Sequence, residues 1–186
     1  MMRCERFPDA GAFLAAVGPF LARHEAENTV LTGVALGCRD EARADAPMVA
    51  VRDAAVRLAA IMTPPLNLVL SLGDPAAIPC LGAALLEAGI HPPGAAGPES
   101  TAEAFAAFWT ARLAVATEAG AAIVLYRATA VLPWAAPGEL RAAATTDASW
   151  LTEWQTRFAT DLGLSSAEVR DIGARTPPRI ARREIV

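Results

Sequence analysis

No lysine occurs in the 186-residue chain, so all 16 basic side chains are arginine, set against 20 acidic ones. The net charge of −4 gives no basic field for nucleic acid or an anionic membrane, and neither is an expected partner. Histidine occurs twice, at His24 and His91, and cysteine three times, at Cys4, Cys38 and Cys80, without a C-x-x-C pair. That set offers no metal-ligand spacing. A metal-free protein with reduced, scattered thiols is expected, in a cytoplasmic setting. A clean run of ~20 apolar residues is also missing. The most apolar stretches, residues 58–72 and 119–136, are broken by Pro64-Pro65 and Asn67, and by Arg127 and Pro133. Charges at Arg3, Glu5, Arg6 and Asp9 precede the first apolar run, which argues against a signal peptide. Neither a G-x-S-x-G elbow nor a P-loop is present. What is abundant is hydrophobic side chain, at 54% of residues, so a packed core is within reach and the chain reads as a soluble, mildly acidic protein.

Periodicity and breakers lay out the elements. Residues 3–7 read as a short strand, and Asp9 suits the N-cap of a helix bearing Phe13, Leu14 and Val17. Gly18-Pro19 is expected to break it, with a second helical run through Phe20, Leu21, His24, Asn28, Leu31 and Ala35 to Gly37. Residues 39–46 read as a solvated loop. Residues 48–51 and 56–62 form strands about a turn at Asp53-Ala54, with Val56, Leu58, Ala60 and Met62 on one face. Thr63-Pro64-Pro65 ends that ladder, and residues 67–72 make a third strand. Asp74-Pro75 start a helix with Ile78, Leu81 and Leu85 on one stripe, closed by Gly89. Residues 92–98 leave room for a short strand. A capping box, Ser100-Thr101-Ala102-Glu103, opens a helix with Phe105, Phe108 and Trp109 on one face. Residues 121–132 are the longest strand candidate, and residues 133–138 read as a domain boundary. A strand at 139–143, a helix after Thr146-Asp147 with Trp150, Trp154 and Phe158 in a ladder, and a capping box at residues 165–168 follow. The fold class is therefore α/β, an α+β mixed sheet, mostly antiparallel and flanked by helices. From residue 139 the strand, helix, helix order of the start comes round again.

Several phrases in series carry a resemblance. They are Phe13-Leu14, then Phe20-Leu21-Ala22-Arg23-His24-Glu25-Ala26-Glu27-Asn28, then Thr63-Pro64-Pro65 with Leu68-Val69-Leu70. Pro93-Gly94-Ala95-Ala96-Gly97-Pro98, Phe105 and Trp109 continue it, followed by Leu140-Arg141-Ala142-Ala143-Ala144-Thr145 with Asp147, Leu151, Trp154 and Phe158. In this order they resemble the N-terminal part of a two-lobed GNAT-family N-acetyltransferase. The resemblance implies a degenerate GNAT-like lobe at residues 1–134 and the truncated start of a second lobe at 139–186. It also implies acetyl-CoA as cofactor and a small amine as acetyl acceptor. Enzymes of this family seat the CoA pyrophosphate on free backbone amides in a glycine-rich turn after the fourth strand. Here that place reads Leu70-Ser71-Leu72-Gly73-Asp74-Pro75-Ala76, where Pro75 removes a donor and Asp74 brings a carboxylate. The expectation is that this chain does not bind acetyl-CoA tightly. A second lobe of on the order of 100–150 residues would not fit after residue 139, so competence alone is not expected either.

The substrate-groove candidates are His24, Glu25, Asn28 and Tyr126. His24, Glu25 and Asn28 share one helix, with Glu25 as base for an ammonium; a polar helix face or interhelical contact is the competing and favoured reading. Tyr126, the one tyrosine, is the sole phenolic acid on offer, but its apolar alternation partners Val124, Ala128 and Leu132 favour a core strand position. The glycines of residues 93–98 precede a helix, yet Glu99 and Glu103 satisfy that helix start themselves. The Trp150, Trp154 and Phe158 ladder reads as a core or interlobe face. Three functions stay open: part of an acetyltransferase, a non-catalytic interaction or regulatory module, and one half of a split enzyme. The partner would be a complementary GNAT lobe or a second copy of the chain.

Overall fold

Short apolar runs between turn residues, with helical stripes on either side, build a sheet covered on both faces. A computed structural model describes residues 1–130, 138–163 and 166–186, in two compact units, Met1–Thr129 and Ala130–Val186. In the first unit, β1 (Arg3–Arg6), β2 (Met48–Arg52), β3 (Val56–Met62), β4 (Leu68–Leu70) and β5 (Ala95–Ala96) form one sheet in that spatial order. The first four pair antiparallel with one another in that order, and β5 runs parallel to β4. Helices α1 (Ala10–Leu21) and α2 (Thr29–Asp40) precede β2, α3 (Ile78–Glu87) follows β4, and α4 (Glu99–Leu113) follows β5.

The sheet has two buried faces. Val49, Val51, Leu58, Ala60, Met62, Leu68 and Leu70 pack with Ile78, Leu81 and Leu85 of α3 and Phe105 and Trp109 of α4. Met48, Ala50, Ala59 and Ile61 pack with Phe13, Val17 and Leu21 of α1 and Leu31, Ala35 and Cys38 of α2. Fully burying one of the larger side chains contributes about 1.5–3 kcal/mol. Alternation in β3 holds for Leu58, Ala60 and Met62, but Val56 packs with the opposite cluster. A bulge explains it: Val51 faces Leu58 while Arg52 faces Val56, so Arg57 is an extra residue that reverses the parity.

Several expected boundaries shift. Asp9 does cap α1, its Oδ1 accepting the Ala12 N–H at 2.8 Å. Gly18-Pro19 does not end that helix, which continues through Pro19 to Leu21. Proline there forfeits one amide bond, but Phe13, Val17 and Leu21 at i, i+4 and i+8 are all buried, and that stripe carries the last turn. The second run therefore splits: Phe20 and Leu21 belong to α1, Ala22–His24 is a 3-10 turn, and Asn28 precedes α2, which runs past Gly37 to Asp40 and buries Cys38. The third strand shortens to Leu68–Leu70. Asp74 caps a 3-10 turn, Pro75–Ala77, that leads into α3, and Gly89 closes that helix at φ +66, with the Ile90 N–H reaching Leu85 O. Helix α4 begins at Glu99 after Pro98, so Ser100 is not its cap. The Thr101 hydroxyl donates instead to Pro98 O at 2.9 Å, and to Ser71 O.

The strand expected at 121–132 is not formed: residues 121–130 are irregular, and Val131 and Leu132 lie outside the described residues. Among the described residues no strand pairs with them. The same holds at 139–143, where the chain is irregular and the Ala143 N–H donates to Ile185 O. The repeat of strand, helix, helix thus reduces to its helices. In the second unit a 3-10 turn, Thr145–Asp147, opens α5 (Ala148–Asp161), which packs against α6 (Ser166–Ala181). Residues 133–137 of the boundary and Ser165 of the expected capping box lie outside the described residues. Among the described residues no helix is long and apolar enough to cross a membrane.

Candidate functional site

The parallel β4–β5 pair and the turn after β4 gather the polar groups that the apolar core excludes. Asn28, Ser71 and Thr101 are buried there, and each is matched. Asn28 Nδ2 donates to Leu21 O at 3.1 Å, and its Oδ1 accepts the Leu72 N–H at 2.7 Å. Ser71 exchanges two bonds with Ala59, its N–H to the carbonyl and its Oγ from the amide, both at 2.9 Å. The Thr101 hydroxyl reaches Ser71 O from α4 at 3.2 Å. One knot therefore joins α1, β3, the end of β4 and α4.

Beyond the knot most amides of the turn are engaged within the chain. Asp74 N donates to Arg57 O, Ala76 N to the Asp74 carboxylate, and Ala77 N to Asp74 O, each at 2.9 Å. Pro75 has no N–H. Gly73 is there for packing: a Cβ would sit 2.4 Å from Arg57 O. A diphosphate seat needs several outward amides and a positive field. With the amides at 71, 72, 74, 76 and 77 bonded within the chain and a carboxylate at Asp74, these residues leave few donors for a diphosphate.

A cleft of about 290 Å³ opens beside this turn, lined by Arg23, His24, Arg57, Gly73 and Asp74 with Phe20. Of its arginines, Arg57 is paired. Arg57 grips Asp53 with two nitrogens, at 3.0 and 3.1 Å, and its guanidinium with the Ala55 amide draws the Asp53 carboxyl down to about 2. Arg23 lies over the Phe20 ring, 5.1 Å from its centroid. A larger cleft of about 770 Å³ lies between the turn at residues 22–29 and Leu125 and Arg127.

Among the residues singled out from the sequence, His24 lines both clefts and Glu25 the larger one, and both are exposed. Asn28 is underneath them, spent on the knot. Tyr126 is 92% exposed on the irregular segment, not in a core strand, because the strand that would have buried it does not form. Its neighbours Leu125 and Arg127, rather than Tyr126, line the larger cleft with His24 and Glu25. Ser71, Thr101 and Arg57 were not signalled by periodicity: a serine closing a strand and a threonine in a first turn look like ordinary caps. Among the described residues, no three His, Cys, Asp or Glu side chains gather to hold a metal ion. No family model matches the chain, and no curated protein or solved structure does either.

Proposed function

We propose that the chain is part of a two-lobed GNAT-type N-acetyltransferase, and that its first unit is a degenerate lobe that supports a partner lobe rather than binding acetyl-CoA. The order strand, two helices, three antiparallel strands, helix, parallel strand, helix supports the family reading. The observation that carries the role is the turn at Ser71–Ala77, whose amides at 71, 72, 74, 76 and 77 are each bonded within the chain. Acetyl transfer to a small amine would then rest on a complementary lobe, and residues 139–186 would belong to the beginning of one. Titration calorimetry of this chain with acetyl-CoA tests the role: no heat of binding is expected at micromolar concentrations. A micromolar complex would overturn it.

A second reading, a contact module acting through self-association, is favoured by one observation. Trp154 and Phe158 of α5 are 63% and 66% exposed, beside Trp150. Light scattering after size exclusion separates the two: the module predicts a dimer that Trp154→Ser dissociates, and the supporting lobe predicts a monomer at all concentrations.

A further inference from the structure

Cys4 and Cys80 come from elements 76 positions apart, yet their sulfurs lie 3.4 Å from one another. Cys4 sits in β1, which among the described residues is an edge strand paired with β2, and Cys80 in the first turns of α3, which packs across the sheet. Both side chains are half-buried against the same apolar cluster, and the Cys4 thiol donates to Cys80 O at 3.1 Å. Two thiols held that close need to approach by little more than an ångström to reach bonding distance. Cys38 is elsewhere, on the opposite face of the sheet.

We propose that Cys4 and Cys80 are a modification site: a thiol pair that a low-molecular-weight disulfide of the glutathione class oxidises to an internal disulfide tying β1 to α3. The exchange balances in two steps. Cys80 Sγ, as thiolate, attacks one sulfur of the external disulfide, breaking its S–S bond and releasing one external thiol. Cys4 Sγ then attacks the Cys80 sulfur of that mixed disulfide, forming the Cys4–Cys80 bond and releasing the second external thiol. Two protein thiols are oxidised, one disulfide is reduced, and the two protons leave on the released thiols. Burial, with Cys80 and Glu87 alongside, pushes the Cys4 thiol up to about 12, which keeps it protonated and makes it the second to react. The bond would close a loop through β2, β3 and β4, which restrains the unfolded chain strongly.

The test uses the whole chain in buffers of oxidised and reduced glutathione, quenched with acid, alkylated and mapped by mass spectrometry. The expected product lacks two alkylatable thiols, carries a peptide joining Cys4 to Cys80, retains no glutathione and leaves Cys38 alkylatable. Cys4→Ser should trap glutathione on Cys80. Wild-type Cys80 that keeps its glutathione, a joined peptide that includes Cys38, or Cys4 and Cys80 that both stay alkylatable would overturn the proposal. Thermal melting of the wild type gives a readout that needs no variant. The linked form should melt about 5–15 °C higher than the reduced form; an unchanged or lower midpoint means the pair is not preset for bonding, and the proposal fails.

Discussion

The two units are held together by different physics. In Met1–Thr129 the interior is volume: Phe13, Leu31, Met48, Leu58, Ile61 and Leu81 are almost wholly enclosed, and β3 is covered from both sides. In Ala130–Val186 the buried groups among the described residues are Asp147, Ala159, Thr176 and Ile180, two of them polar, while Trp154 and Phe158 stay largely in solvent. There the joints are hydrogen bonds. Asp147 accepts from Arg141 at 2.6 and 3.0 Å, from the Ala144 amide at 2.8 Å and from the Trp150 indole, and Thr176 donates to Gln155 at 3.0 Å. A unit built on volume should fail through cavities, and one built on polar joints should fail through protonation.

Cavities give the largest expected effect. Ile61→Ala or Phe13→Ala should destabilise the first unit by about 3–5 kcal/mol in denaturant unfolding, because packed neighbours relax only partly around the void. A loss below about 1 kcal/mol would mean that the enclosure is not tight. Asn28→Ala comes next, at about 2–3 kcal/mol, since it strands the Leu72 amide and the Leu21 carbonyl away from water. Hydrogen exchange at Leu72 should quicken in that variant more than exchange in α3, and an unchanged Leu72 amide would break the account of the knot.

Acid should separate the units. Arg141 first, then the Ala144 amide and the Trp150 indole, hold the Asp147 carboxyl well below the usual carboxylate range. A depressed carboxyl contributes fully above its unfolded value, about pH 4, and loses that contribution as pH falls further. Trp150 and Trp154 meet edge to face at 4.8 Å, so their coupled near-ultraviolet signal reports on α5. That signal should fade below about pH 4 in the wild type, and Asp147→Asn should weaken it at neutral pH. A signal flat to lower pH would show that the Asp147 joint does not hold α5. The smallest effect belongs to Phe158→Ala, expected within about 0.5 kcal/mol because the ring is mostly solvated already; a larger loss would mean that α5 has apolar cover after all.

Local pattern was enough to locate β2 and β3, whose apolar runs are bounded by turn residues, and the stripe of α3, which Asp74 and Gly89 delimit. It misjudged places where a distant partner decides. Pro19 breaks a helix in isolation, but burial of Leu21 holds this one. Residues 121–130 alternate well enough for a strand, yet among the described residues no strand pairs with them. Val56 shares a face with Leu58 on paper, and the extra residue at Arg57 cannot be read without the pairing. The candidate site was less legible. His24 and Glu25 were found as residues beside clefts, but the roles of Asn28, Ser71 and Thr101 depend on contacts between elements as many as 44 positions apart.

The alanines at the centre of the sheet have a mechanical consequence. Ala50 and Ala59 belong to one cluster and Ala60 to the other, so at the middle of the sheet a single methyl group faces each layer between larger strand side chains. Methyl side chains at these three points leave room for the larger side chains of the helices to reach down to the strands. Ala59 and Ala60 are almost wholly enclosed, so leucine at either would overpack the interior and force its neighbours aside.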